Sequence, residues 1–188
     1  MFNYDELTKT LTIQFEFDDE LVDLSNNIKI IIFENTYSNC SKFNKNVDNL
    51  PPNLTHLTFG SYFNQNVDKL PPNLTHLTFE GRFNQKLNCL PRNLTHLTFG
   101  WIFDKDKCPS NLTYSIHNGI FNQDVDNLPQ NLTHLTFGNN FNQNINNLPF
   151  TIQKIIIHDK NKIHLFKKIP YGCILTDVCD MELCNFCF

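Results

Sequence analysis

The sequence has no alanine, six glycines and one tryptophan in 188 residues. Set beside its many Asn, Ile, Lys and Phe residues, this bias reads as base composition of the coding sequence and specifies no mechanism. Other absences exclude more. No stretch approaches the roughly 18 apolar residues of a membrane span. The N-terminus, MFNYDELTKTLTIQFEFDDE, lacks a basic segment followed by an apolar one, so no secretory leader is expected and a cytoplasmic location is. Positive charge is not in excess: 15 Lys and Arg stand against 19 Asp and Glu, a net charge of −4. Nucleic acid and anionic membranes are therefore not expected as partners. Seven cysteines, odd in number and irregular in spacing, do not suggest a disulfide framework. P-loop, dinucleotide-glycine, nucleophile-elbow and zincin motifs are missing. No catalytic residue, cofactor or enzymatic activity is expected.

What the chain does contain is a repeat. Phe43, Phe63, Phe83 and Phe103 follow one another at 20 residues, Phe121 comes after 18 and Phe141 after 20. So short a period leaves room for one strand and one return segment per unit, the range of leucine-rich-repeat solenoids. In LPPNLTHLTFGSYFNQNVDK the apolar positions are Leu54, Leu57, Phe59, Phe63, Val67 and Leu70, and Leu57 and Phe59 alternate about Thr58 as in a half-buried strand. Pro51 and Pro52 cannot donate to a ladder and belong to the return segment. Gly60, Gly100 and Gly138 close three strands, where a left-handed φ is expected, and Glu80 replaces the glycine once.

The pattern reaches beyond the obvious copies. Leu24 to Phe33 aligns with Leu50 to Phe59, and Leu148 to Ile157 is a further rung. One domain over 1–188 is expected: a capping strand at 1–16 carrying Leu11, Ile13 and Phe15; a divergent repeat with a loop insertion at 17–42; about six repeats at 43–160; and a divergent repeat around Ile163 to Pro170 with a cysteine-rich cap, together 161–188.

Phe63-Asn64-Gln65, Leu70-Pro71 and Asn73-Leu74-Thr75-His76-Leu77-Thr78-Phe79, repeated with few changes from about residue 43 to 158, resemble FNIP repeats. This leucine-rich-repeat-like family is known mainly from amoebae and giant viruses. The resemblance implies a β-rich solenoid, a right-handed superhelix with a parallel sheet on its concave face and irregular return segments. It also implies non-catalytic binding of another protein, a host protein in host cytoplasm if the chain is viral. Family members often carry an F-box before the repeats, which would make such a chain a substrate-recognition subunit of a ubiquitin ligase. The first 20 residues read as strand, so that helical module is not expected in this sequence.

Stacked rungs turn equivalent positions into columns. One outward column reads Ile30, His56, His76, His96, Tyr114, His134, Lys154, and the next reads Ile32, Thr58, Thr78, Thr98, Ile116, Thr136, Ile156. The candidate partner-binding residues are His56, Thr58, His76, Thr78, His96, Thr98, Tyr114, His134 and Thr136. A mildly polar, β-compatible solvated sheet face, a shared Zn²⁺ or Cu²⁺ ion and pH sensing are the competing readings of the histidines. Phe43, Phe63, Phe83, Phe103, Phe121 and Phe141 are expected as a buried aromatic stack, and Asn64, Asn84, Asn122 and Asn142 as an amide column that satisfies turn backbone. Asn53, Asn73, Asn93, Asn111 and Asn131 each begin an Asn-Leu-Thr sequon, read as duplication rather than glycosylation.

The unit from Phe103 to Ile120 is two residues short and puts Ser115 and His117 at core positions, so a one-residue shift is expected there, with Trp101 in the preceding turn. In the tail Cys173, Cys179, Cys184 and Cys187 are the alternative metal ligands, Cys184-x-x-Cys187 having knuckle spacing, against an apolar cap of Ile174, Val178, Met181 and Leu183. The N-terminal end is acidic and the other end basic, read as solvated caps on a monomer.

Overall fold

The structure, a computed structural model, describes residues 2–36, 39–100, 119–177 and, by backbone, 182–184. Its strands are short: β1 (Phe2–Asp5), β2 (Thr10–Ile13), β3 (Ile30–Phe33), β4 (His56–Phe59), β5 (His76–Phe79), β6 (His96–Phe99), β7 (His134–Phe137), β8 (Lys154–Ile157), β9 (Ile174–Asp177) and β10 (Glu182–Cys184). They lie in one sheet in chain order. β2 to β9 pair in parallel, one strand per turn of a leucine-rich-repeat-like solenoid. β1 and β10 pair antiparallel at the two ends.

The two-residue alternation sets the faces. In β4 and β5 the Leu and Phe are buried and the His and Thr half-buried. Leu54, which follows the proline turn, is also buried. Its amide donates to the Pro51 carbonyl at 3.1 Å, and Leu74, Leu94 and Leu132 repeat that bond to Pro71, Pro91 and Pro129. A proline at the start of this turn accepts through its carbonyl and has no N–H to lose.

Two phenylalanine columns fill the core. One runs through the strand ends (Phe33, Phe59, Phe79, Phe99, Phe137), the other through the Phe-Asn positions (Phe17, Phe43, Phe63, Phe83, Phe121, Phe141). Within a rung the two rings meet closely, Phe59 and Phe63 at 3.7 Å between centroids, and Phe63 stacks on Phe83 at 6.2 Å in the next.

Several expectations are corrected. β6 pairs directly with β7: His96 stands beside His134, and Phe83 stacks on Phe121 at 6.1 Å. The unit that begins at Phe103 was expected to stand between these two strands. Its Phe103, Cys108, Asn111, Tyr114, Ser115, Ile116 and His117, and Trp101 before it, lie outside the described residues. The segment 1–16 is a hairpin, not a capping strand. Only β1 caps, while β2 is a full rung with Leu11 and Ile13 buried, and Phe15 is turned partly outward by the Gln14–Phe17 turn. At the other end Lys160–Leu165 forms a 3-10 helix capped by the Asp159 side chain, so the last rung strand is β9, downstream of Ile163 to Pro170. Ile174 faces outward at 47% exposed and is no cap residue. Of the strand-closing glycines only Gly100 has a positive φ (102°). Gly60 is needed for space, since a Cβ there would stand 2.2 Å from that of Ser41.

Candidate functional site

The sheet register brings His56, His76, His96 and His134 into one unbroken column on four consecutive rungs. Sequence reading had Tyr114 interrupting it. The imidazoles stack at 4.1, 4.1 and 4.3 Å between centroids, with neighbouring planes within 12°. Ile30 precedes the column and Lys154 follows it.

Each ring is held by a residue the sequence reading left unused. The threonine just before it places Oγ1 2.9 Å from Nδ1, in Thr55–His56, Thr75–His76, Thr95–His96 and Thr133–His134. The same hydroxyl donates one rung back: Thr55 to the Lys29 carbonyl at 3.0 Å, Thr75 to Thr55 at 3.0 Å, Thr95 to Thr75 at 3.1 Å and Thr133 to Thr95 at 3.1 Å. These are the threonines of the sequons. The sequon asparagines form a ladder too, with Asn53, Asn73, Asn93 and Asn131 donating through Nδ2 to the carbonyls of Asn26, Pro52, Pro72 and Arg92. Asn-Leu-Thr thus recurs because both polar side chains tie a rung to the one before. A signal was present in the fixed spacing of three polar residues around each Leu.

Burial lowers the pKa of His56, His96 and His134, and takes that of His76 down to about 4, helped by repulsion from His56, His96 and His134. The column is uncharged at neutral pH. In the neighbouring column Thr58 and Thr78 are half-buried, whereas Thr98 and Thr136, on the two rungs nearest the β6–β7 junction, are only 7% and 5% exposed.

On the return side the Asn64, Asn84, Asn122 and Asn142 amides donate to the Oδ1 atoms of Asn44, Asn64, Asn84 and Asn122 at 2.7 to 2.9 Å. Gln65, Gln85, Gln123 and Gln143 reinforce the same oxygens. The asparagines are thereby consumed in structure.

Among the described residues no group of three His, Cys, Asp or Glu side chains could hold a metal ion. Cys179 and Cys187 lie outside the described residues, and Cys184 and Leu183 are described by backbone alone, as Val178 and Met181 are not at all. Cys173 is partly buried, with Sγ 3.8 Å from the Ile174 carbonyl. Among the described residues the one strongly shifted carboxyl is Glu80, raised to about 7 by burial against the opposing hydrogen bond from Asn35 Nδ2 at 2.6 Å. Through that bond it ties the inserted loop to the strand end of the β5 rung.

This architecture has known counterparts. The family model for the FNIP Repeat matches residues 43–79, 63–101 and 121–160, more than half of the chain. The chain belongs to the FNIP repeat family. This FNIP repeat protein is also similar to a solved structure described as that of CroV588, a novel circular LRR protein, with 29% identity and a TM-score of 0.55 over 94% of this chain and 31% of that one. It spans about a third of that protein's length. A search of curated proteins found no match. No described helix of the FNIP repeat protein is long and apolar enough to cross a membrane.

Proposed function

We propose that this FNIP repeat protein is a non-catalytic binding solenoid that takes a protein partner in the cytoplasm along its concave sheet face, through His56, His76, His96 and His134 with Thr58 and Thr78 beside them. The observation that carries the reading is the four-rung histidine column. Its rings are ordered by stacking and by the threonine contacts before any partner arrives, so docking on them costs little side-chain entropy. Extended, half-buried sheet faces of solenoids suit flat contacts with other proteins rather than small molecules.

The test is affinity capture from a cytosolic fraction with three baits: the native chain, a His76→Glu/Thr78→Glu variant and a return-side control, Lys86→Glu. A partner bound by the native chain and the control and lost by the concave-face variant supports the proposal. Equal capture by all three baits refutes it.

A further inference from the structure

The proton positions along the histidine column follow from counting hydrogens. Each threonine hydroxyl has one proton, and it is used on the carbonyl of the preceding rung at 3.0 to 3.1 Å. The 2.9 Å contact between the same Oγ1 and the histidine Nδ1 then needs a proton from the ring. Two lone pairs at that separation would repel, so Nδ1 carries the hydrogen. A second proton on Nε2 would place up to four like charges in a row at 4.1 to 4.3 Å, where repulsion is strong even near a protein surface. Every Nε2 is thus an unprotonated acceptor, and among the described residues none of the four has a hydrogen-bond partner at that atom. Because the planes agree within 12°, the lone pairs run side by side and do not converge on one point, which is why the column is a poor chelate. Lys154 is the charged group next to His134. In the other direction come Ile30, Thr10 and then Asp5, whose carboxylate is engaged by the Leu7 amide and the Thr8 hydroxyl.

Resting on the concave-face reading above, we infer that the histidine column is a rail of aligned acceptors, and that its partner is a protein segment that lays a row of uncharged N–H donors, the amides of Asn and Gln side chains, against Nε2 of His56, His76, His96 and His134 and presents no carboxylate there. A carboxylate on that face would set acceptor against acceptor with both desolvated, which costs tenfold or more in affinity.

Two measurements decide it. Nitrogen-15 NMR of the imidazoles in the native protein at neutral pH is expected to show Nδ1 protonated and Nε2 bare in all four residues. A protonated Nε2 in any of them overturns the rail, while leaving concave-face binding standing. The second probe is an array of peptides in matched pairs that differ only by Asn for Asp and Gln for Glu, read with the native chain, a His76→Phe/His96→Phe variant that keeps the ring stack, and a Thr58→Glu/Thr78→Glu variant. The native chain is expected to retain amide members about tenfold better than their acidic twins, and the Phe variant to lose that preference. Retention of neither member, no preference, or a preference that survives the Phe variant overturns the inference. Undiminished binding by both variants removes the concave-face reading itself.

Discussion

Gly81 and Glu80 show how much single positions are asked to do in a chain built from copies. Gly81 lies at φ +143°, and a Cβ there would stand 2.7 Å from the Ser61 carbonyl oxygen, which is backbone and cannot yield. Gly81→Ala should therefore lower stability by about 1–3 kcal/mol in thermal or urea unfolding, and an unchanged midpoint would contradict that geometry. Glu80 occupies the place where neighbouring rungs have glycine, and its carboxyl titrates near 7 in the fold against 4.5 in the unfolded chain. Between those values the folded state holds the proton more tightly, so stability falls as pH rises through the window. Glu80→Gln should flatten that fall and be more stable than the native chain at pH 8, by on the order of 1–3 kcal/mol. Sequence reading recorded Glu80 as a tolerated exception. Its role was illegible because its partner Asn35 comes from an inserted loop 45 residues away.

Elements here are columns, and a column fails through its neighbours. Asn84 Oδ1 accepts from the Asn122 amide at 2.9 Å and from Gln123 Nε2 at 3.1 Å, so Asn84→Ala strands two donors on the next rung. A loss of about 1–3 kcal/mol is expected, read by chemical denaturation, and it should exceed that of Asn66→Ala, whose contacts stay within two residues at Asp68. The histidine column has the opposite pH sense from Glu80. Its folded pKa values lie below 6.5, that of His76 near 4, so the unfolded chain takes up protons first and stability drops as pH falls from 6.5 toward 4. His76→Phe should reduce the drop in melting temperature across that range. The Leu-x-Phe alternation made the strands and the outward His and Thr positions legible in the sequence. The Thr55-type hydroxyls left only a spacing signal, because the bond each donates one rung back belongs to register, which no single repeat contains.

At the scale of the molecule the ladder closes directly from β6 to β7. A Cβ on Gly119 would lie 2.9 Å from the Gly100 Cα, so the backbone at these two positions is in close contact. A chain in which Gly100 is joined to Gly119, with residues 101–118 removed, should keep the far-ultraviolet circular dichroism of the sheet and unfold cooperatively. Loss of the folded state would show that the ladder depends on the missing unit. Period and alternation by themselves determined that this protein is a solenoid of short strands, because identical units can bury their apolar stripes only against one another, and the resemblance of its motifs to FNIP repeats supplied the family. Tertiary structure alone decided which units stack. A unit of 18 residues in a ladder of 20 looks in sequence like one more rung, but a rung exists only where its backbone pairs with both neighbours, and His96 found His134 instead. That one pairing turned an interrupted column into a continuous row of four imidazoles.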